Sequence, residues 1–433
     1  MTQFELASFT VDVTPEIGQR LMAVSATKAK EIVDPLFAHG FVLTGADEPI
    51  VVLAIDWCEI RNGAYDHWRD VLAEAAGTKR ERVLLSSLHQ HDAPVTDIGA
   101  ENLLARVGLA GEMFDLKFHE QCVRRAASAL VDCLKTKRRV THVGVGQAPV
   151  ENVASNRRVV GPDGSVSFHR GSSSGGDPKL AAAPIGMIDP NLKTLTFFDG
   201  ETPLLSLHAY ATHPMSYYGR GGVSADFVGM ARDLRQRDEP AVKQMYVSGC
   251  SGDVTAGKFN DGSPANRPLL AHRLHQAMQK AWQSTERHPL EKIGFRSTEL
   301  DLEYRKSPTH TREALDKVLT DPQAQVRDRI LAAMGLSSRQ RVASGRLIDF
   351  PVIDFGPAQI VLFPAEVFVG YQLIAQQMRP ESFVVSIGYG ECWPGYIPTN
   401  EAFDDGFTDV WLWVAPGAEA KIRAALQKVL LPS

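Results

Sequence analysis

The sequence alternates short apolar runs with longer segments of helical periodicity, and this alternation constrains the fold more than any other feature. Apolar runs of this length, bounded by turn-forming residues, are typical of strands that are buried on both faces of a sheet. Strands are predicted over residues 49–56, 82–89, 193–199, 203–214, 243–249, 358–366 and 382–390. Helices, several opening after Ser, Thr, Asp or Asn, are predicted over 63–77, 113–137, 225–237, 266–284, 311–336, 368–379 and 418–430. The pattern predicts an α/β fold in which helices flank mixed β-sheets.

Two segments depart from this alternation. Residues 161–184 are rich in Gly, Ser, Asp, Pro and Ala, which predicts a long, flexible surface loop. Residues 305–345 are charged, helical in pattern and poor in aromatics, which predicts a solvated helical insertion. At 433 residues and 44% apolar, the chain is long enough for two or three domains or for one large domain with insertions.

Charge and cysteine usage exclude several classes of protein. The formal net charge is −5 and there is no long Lys/Arg block, so a nucleic-acid partner is not expected. The N-terminus has no signal-like segment and no apolar window is long enough to cross a bilayer, so we expect a protein without an integral membrane segment. The cysteines are odd in number and scattered, without a C-x-x-C pair, which favours buried free thiols and a cytoplasmic location: Cys58, Cys122, Cys133, Cys250 and Cys392.

Polar side chains follow several predicted strands at their carboxyl ends. His89 and His91 end one strand, His213 ends a second, and the run 250–255 follows a third. Glu366 ends a fourth strand, and a segment that contains Tyr396 follows a fifth. Because ligand sites in α/β sheets lie just outside the carboxyl ends of strands, these side chains are expected to converge on one crevice.

Imidazoles and a carboxylate around an open position are the ligands of a catalytic zinc ion. Such an ion lowers the pKa of water and polarises a carbonyl oxygen, which suits hydrolysis. Spacing alone leaves other interpretations open. His89 and His91 could be hydrogen-bonded structural histidines, Glu366 a helix-capping carboxylate, and Gly252-Asp253 an ordinary turn.

The same motifs, in the same order, resemble those of the neutral/alkaline non-lysosomal ceramidases. FTVDVTPEIG is similar to the start of that family, RVLLSSLHQHDAP to its Thr-His-Thr-His segment, and ASNRR to its Asn-Arg segment. YATHP with SADFVGMAR, GCSGDVT, FPAEVF and GYIPTNEAF are similar to its later motifs. The resemblance extends over about residues 12–415 and implies a single ceramidase-like catalytic domain over 1–433, without a C-terminal β-sandwich.

The resemblance implies a zinc-dependent amidohydrolase that binds one Zn²⁺ per chain and acts on a small-molecule N-acyl or related amide. The implied zinc ligands are His89, His213, Glu366 and Tyr396. The implied catalytic residues are His91, Arg157, Asp253, Thr255 and Tyr396, and the substrate-binding candidates are Asn156, Arg157 and Trp393. Trp393 is one of several aromatic residues near the motifs that either line an acyl or ring pocket or pack in the core; the others are Phe227, Tyr217, Tyr218 and Trp411.

The sequence departs from the family pattern at Thr255, which stands where the family has its active-site serine. A threonine hydroxyl still donates a hydrogen bond to an oxyanion, but its methyl group crowds the site, which favours metal-activated water over a covalent nucleophile. Two alternatives remain: an esterase or lactonase on the same metal site, and a small-molecule-binding relic without catalysis. A homo-oligomer is also left open.

Overall fold

The secondary structure comes from a computed structural model that describes residues 3–162 and 164–431. In chain order its strands are Phe4–Asp12 (β1), Glu31–Ile32 (β2), Phe37–Thr44 (β3), Ile50–Ile55 (β4), Glu59–Arg61 (β5), Val83–Ser87 (β6), Val95–Asp97 (β7), Arg138–Val140 (β8), His142–Pro149 (β9), Ser155–Asn156 (β10), Arg158–Val160 (β11), Val166–His169 (β12), Asn191–Asp199 (β13), Thr202–Tyr210 (β14), Gly222–Val223 (β15), Lys243–Ser248 (β16), Val254–Thr255 (β17), Glu286–Pro289 (β18), Gly294–Leu300 (β19), Ile348–Asp354 (β20), Ala358–Leu362 (β21), Glu366–Val367 (β22), Phe383–Ile387 (β23) and Tyr396–Ile397 (β24). Its α-helices are Asn62–Ala76 (α1), Ile98–Arg106 (α2), Leu116–Cys133 (α3), Pro178–Ala182 (α4), Asp226–Asp238 (α5), Asn266–Gln283 (α6), Arg312–Thr320 (α7), Val326–Ala343 (α8), Val369–Met378 (α9), Asn400–Asp404 (α10) and Ala418–Leu430 (α11).

Three larger sheets carry most of these strands. Their orders are β6-β4-β3-β1-β8, β16-β14-β13-β9-β18 and β19-β20-β21-β23. In each sheet one edge strand is parallel to its neighbour: β6 to β4, β16 to β14, and β23 to β21. The other pairs in these sheets are antiparallel. The sheets are therefore mixed, and the predicted α/β fold is confirmed.

Strands β4, β6 and β21 are buried along their whole length, which explains the uninterrupted apolar runs of the sequence. In β4, alternate residues belong to two different apolar cores, so Val51 and Leu53 pack in one and Val52 in the other. Phe197 joins the sheets in the second core, because its ring centroid lies 5.5 Å from that of Phe41 and 5.5 Å from that of Phe355. Helices cover the outer faces, with α1 and α3 on the first sheet, α5 and α6 on the second, and α9 and α11 on the third.

The two unusual segments contain regular structure. The segment 161–184 carries β12, which pairs with β11, and the short helix α4; residue 163 lies outside the described residues. The single helix predicted over 311–336 is wrong, because the chain forms α7 and α8 on either side of Pro322, a residue that disfavours helical backbone before it. Ile330 and Met334 of α8 are buried in the first core. Residues 332–338 are all buried, so the middle of this helix is enclosed on every side.

Within residues 3–162 and 164–431, the helices are all too short or too polar to cross a bilayer.

Candidate metal centre

The three parallel strand pairs meet at their carboxyl ends, and hydrogen bonds join each sheet to the other two. The Ser87 amide, at the end of β6, donates to the Tyr389 carbonyl oxygen after β23 at 3.0 Å. The Gly388 amide donates to the Ser248 carbonyl oxygen at the end of β16 at 2.8 Å. The Ser248 hydroxyl in turn donates to the Leu88 carbonyl oxygen at 2.7 Å. This ring of contacts holds the segments after the three strands at one point, as the strand-end argument predicts.

His89 leaves the first sheet just after β6 and is 3% exposed. Its Nδ1 lies 3.0 Å from the Cys58 carbonyl oxygen. A carbonyl oxygen only accepts hydrogen bonds, so Nδ1 carries the proton and the Nε2 lone pair is free to bind a cation. The hydrogen bond from Nδ1 to the Cys58 carbonyl oxygen orients the imidazole in the way that is usual for histidine ligands of metals.

His213 follows β14 and is held in the same way. Its Nδ1 lies 2.5 Å from the Ser251 carbonyl oxygen, and its backbone amide donates to the Val254 carbonyl oxygen at 2.9 Å. The side chain is fully buried. Nε2 of His213 is thereby left as the free donor atom of the ring.

The Glu366 carboxylate contacts the imidazoles of both His89 and His213. Its Oε2 lies 3.2 Å from Nε2 of His89 and 3.0 Å from Nε2 of His213. Glu366 also pairs with Tyr396 in the short parallel ladder between β22 and β24, which brings these two side chains side by side. The Tyr396 ring is stacked near the His213 ring, with centroids 6.3 Å apart.

The donor set fits a zinc ion. The ligand atoms of His89, His213 and Glu366 all lie within 4.8 Å of one another, and the three side chains are buried. Without a cation or an extra proton, two imidazole lone pairs would face one carboxylate oxygen, an arrangement that repels. Zinc accepts imidazole nitrogens and carboxylate oxygens at about 2.0–2.2 Å in a tetrahedral site, so one ion between these atoms satisfies all three.

The electrostatics of the unmetallated cluster agree with this. Burial alone would raise the pKa of Glu366, but the adjacent imidazoles of His89 and His213 hold it well below its usual range. Burial, and then the Arg157 guanidinium, lowers the pKa of His213 to about 3. Burial also opposes the charge of His89, yet the Glu366 carboxylate outweighs it and raises that pKa. Glu366 is therefore anionic and His213 neutral, and His89 carries the positive charge that the cluster favours. A metal ion would replace that extra proton, because only the neutral imidazole has a lone pair on Nε2.

The backbone around the cluster is strained. His89, Ala365 and Tyr389 have φ values of 72°, 49° and 58°, in the left-handed region that residues with a side chain rarely adopt. Such strain is concentrated at functional sites, where the surrounding fold holds it in place. A strand that continued through His91 would point His89 and His91 the same way, but β6 ends at Ser87, and the positive φ of His89 sets its direction.

His91 and Arg157 lie beside the proposed ligands. The His91 ring centroid is 5.3 Å from that of His89, and its buried Nδ1 has no hydrogen-bond partner within the described chain. Burial and the neighbouring histidines keep the pKa of His91 well below its usual range, so the ring is neutral. Nη1 of Arg157 donates to the Tyr396 hydroxyl at 2.7 Å. Both side chains therefore lie next to the cluster.

Thr255 lies next to His213, whereas Asp253 and Asn156 line a different cavity, of about 380 Å³. Thr255 forms a bridge with His213, and its Oγ1 accepts a hydrogen bond from the Gly257 amide at 2.9 Å. Asp253 accepts hydrogen bonds from the Val369 amide at 2.7 Å and from the Asn156 side-chain amide at 2.9 Å. Both carboxylate oxygens of Asp253 are thus engaged by protein groups.

A cavity of about 210 Å³ opens onto the cluster. Its lining combines the proposed metal-binding residues with apolar and charged side chains: Met22, Val24, Cys58, His89, His91, Tyr218, Arg327, Glu366, Tyr396, Asp409, Val410 and Trp411. Trp393 is 2% exposed and is not among these lining residues; its carbonyl oxygen accepts a hydrogen bond from Arg61.

Sequence reasoning missed Tyr389, Cys58 and Asp409. Tyr389 stacks on His89 with ring centroids 4.3 Å apart, and its hydroxyl lies 2.7 Å from Oγ of Ser251. The only signal for Tyr389 was its place at the end of the strand predicted over 382–390. Asp409 lines the cavity, and its carboxylate accepts a hydrogen bond from the Trp411 amide at 2.8 Å.

Comparison with known proteins shows which solved structures share this fold. No protein-family model and no curated protein matches the sequence. The structure of neutral ceramidase from Pseudomonas aeruginosa matches with a TM-score of 0.71 at 16% identity, covering 98% of this chain and 74% of that chain. The structure of a ceramidase complexed with C2 matches with a TM-score of 0.70 at 16% identity and the same coverage. The chain therefore has the ceramidase fold, and the resemblance inferred from the motifs is confirmed at the level of the fold.

Proposed function

We propose that the protein is a zinc-dependent hydrolase of a carbon–nitrogen amide bond. The observation that carries the proposal is the convergence of Nε2 of His89 and Nε2 of His213 on Oε2 of Glu366, at 3.2 and 3.0 Å, beside a cavity. The likeness to two ceramidase structures supports an amide substrate. His89, His213, Glu366 and Tyr396 would hold one zinc ion, which supplies water of lowered pKa and polarises a carbonyl oxygen.

The chain's own groups would carry the remaining steps. Neutral His91 accepts a proton from the attacking water and returns it to the leaving amine. The Arg157 guanidinium, held against the Tyr396 hydroxyl at 2.7 Å, stabilises negative charge on the substrate oxygen. The Thr255 hydroxyl, on the segment that pairs with His213, supports the same oxyanion. Asp253 and Asn156 shape the turn that carries these groups.

The cavity favours a small group at the reacting centre. At about 210 Å³ it is below the usual 300–1,000 Å³ range of ligand pockets. Met22, Val24, Val410 and Trp411 give it an apolar wall that suits an acyl chain or a ring. We propose that the substrate places a short acyl or aromatic group here.

The free thiols of the five described cysteines also support a reducing, cytoplasmic location.

The first test is the metal content of protein purified without added metal, measured by elemental mass spectrometry. We expect about one zinc ion per chain in the parent and its loss in His213→Ala, because that variant removes one of the two imidazole ligands. His208→Gln is the matched control, since it replaces another buried histidine, one that contacts Thr194 and Gln244, and should keep the metal.

Measured turnover of matched amides and esters then distinguishes an amidase from an esterase or lactonase. We expect hydrolysis of short N-acyl amides by the parent and its loss in His213→Ala. Faster hydrolysis of matched acyl esters with no amide cleavage would make the protein an esterase or lactonase. Amide hydrolysis by a preparation free of metal would reject the zinc mechanism.

A further inference from the structure

A second set of metal-ligating side chains lies beside the first. The ligand atoms of Cys58, His89 and His91 all lie within 4.8 Å of one another. Cys58 is 2% exposed, and all three residues line the same cavity as Glu366. This set, called here the thiol set, shares only His89 with the first.

Cys58 and His91 have free donor atoms. Within residues 3–162 and 164–431, the Cys58 thiol makes no hydrogen bond, whereas the Cys58 carbonyl oxygen accepts from Nδ1 of His89 at 3.0 Å and from the Ser87 hydroxyl at 3.0 Å. The buried Nδ1 of His91 is likewise without a partner in this described part of the chain. A polar ring nitrogen without a partner in a buried cluster costs free energy, which a bound cation would recover.

His89 makes the two sets compete. Its Nδ1 is committed to the Cys58 carbonyl oxygen, so Nε2 alone is available for a metal. One nitrogen lone pair binds one ion. A cation in the thiol set therefore draws His89 away from a cation held by His213 and Glu366.

The two sets differ in chemical preference. Both sets accept zinc, but the thiolate of the thiol set binds softer cations such as Cd²⁺ more strongly than a carboxylate does. We propose that Cys58, His89 and His91 form a second, mutually exclusive metal position that binds soft, thiophilic cations. Occupation of this position takes His89 and His91 from the hydrolytic site and so inhibits the enzyme, a consequence that rests on the proposed function.

Cadmium titration of the metal-free full-length chain tests the position directly. A thiolate-to-cadmium charge-transfer absorption band should grow and saturate at one Cd²⁺ per chain. The band should vanish in Cys58→Ser and persist in His213→Ala, which loses the zinc set but keeps the thiol set. Cys122→Ser, which removes another buried thiol, is the matched control and should keep the band.

A second variant keeps the test informative if the Cys58→Ser protein misfolds. His91→Gln keeps the thiol, so we expect its band to form with cadmium affinity at least about 10-fold weaker while it still binds one zinc ion. A band that survives in Cys58→Ser, a band lost in His213→Ala, or two cadmium ions per chain would overturn the proposal. Because the assay reads metal binding alone, a parent that shows the band but hydrolyses no amide would reject the proposed function and leave the thiol set standing.

Discussion

At the scale of residues, the candidate site depends on contacts that orient imidazoles. His89 is fixed by the Cys58 carbonyl oxygen on one side and by the stacked Tyr389 ring, 4.3 Å away, on the other. The Tyr389 hydroxyl also lies 3.4 Å from Nδ1 of His213, so this one side chain touches both proposed histidine ligands. Groups of this kind set ligand geometry, and their loss typically weakens metal affinity about 10- to 100-fold.

Tyr389→Phe tests this role. The variant keeps the ring stack but loses the hydroxyl that contacts Ser251 and His213, so we expect zinc affinity to fall about 10-fold, and further in Tyr389→Leu, which loses the stack as well. Chelator competition measures the affinity. Tyr371→Phe is the control, because it removes a buried hydroxyl that donates to the Pro398 carbonyl oxygen at 2.8 Å. An equal loss of zinc affinity in both Phe variants would contradict the role assigned to Tyr389.

At the scale of elements, three parallel strand pairs and the short ladder between β22 and β24 create the site. The pairs end at one point, where hydrogen bonds join the Ser87, Ser248 and Gly388 backbones or side chains. The bridge between β22 and β24 then places Glu366 opposite Tyr396. The backbone at Gly252 lies directly against β22, and the Gly252 amide donates to the Val367 carbonyl oxygen at 2.9 Å. A residue without a side chain allows this close approach.

Gly252→Ala should damage both fold and site. An added Cβ would lie 2.2 Å from the Glu366 carbonyl oxygen, so the backbone of β22 must shift. We expect the free energy of unfolding to fall by about 1–3 kcal/mol, with loss of bound zinc. Urea unfolding and metal content measure the two effects. Gly63→Ala, on α1 with its nearest neighbouring atom at 3.7 Å, should be neutral or stabilising.

At the scale of the whole molecule, buried polar groups tie the layers together. Asp56, at the end of β4, forms a two-point ion pair with Arg232 of α5, with contacts of 2.7 and 3.0 Å. Both side chains are almost fully buried. The pair joins the first sheet to a helix that covers the second, close to the site, since the Asp56 carbonyl oxygen also accepts a hydrogen bond from Gln90.

Removing one partner of this pair should be costly. Asp56→Ala leaves the Arg232 guanidinium buried without its main counterion, so we expect a loss of about 3–5 kcal/mol in the free energy of unfolding. The double variant Asp56→Ala/Arg232→Met should lose less than the sum of the two single variants in a double-mutant cycle. The exposed pair of Arg124 and Glu120 gives the comparison, and Arg124→Ala should cost under about 1 kcal/mol. Additive losses at Asp56 and Arg232 would show that the pair does not couple the layers.

Acid should destabilise the molecule through His208. This ring is buried between Thr194 and Gln244, at 2.8 Å from each, and burial lowers its pKa to about 4. The unfolded chain binds a proton below about pH 6.5 and the folded chain only near pH 4, so stability falls as the pH drops through this window, by about 3 kcal/mol at its lower end. Urea midpoints between pH 7 and pH 4 should decline less steeply in His208→Gln. Parallel declines in parent and variant would assign the acid sensitivity to other groups.

The sequence by itself determined the α/β class, most helices and core strands, and the residues that end at the site. Apolar periodicity and strand-end placement are local properties, so His89, His213 and Glu366 could be found without coordinates. Tertiary structure alone decided the strained φ of His89, the stack of Tyr389 on it, the place of Cys58 beside it, and the burial of Trp393 away from the cavity. The physical reason is sequence distance: Tyr389 lies 176 residues from His213 along the chain, and a contact of that kind exists only when separate sheets meet.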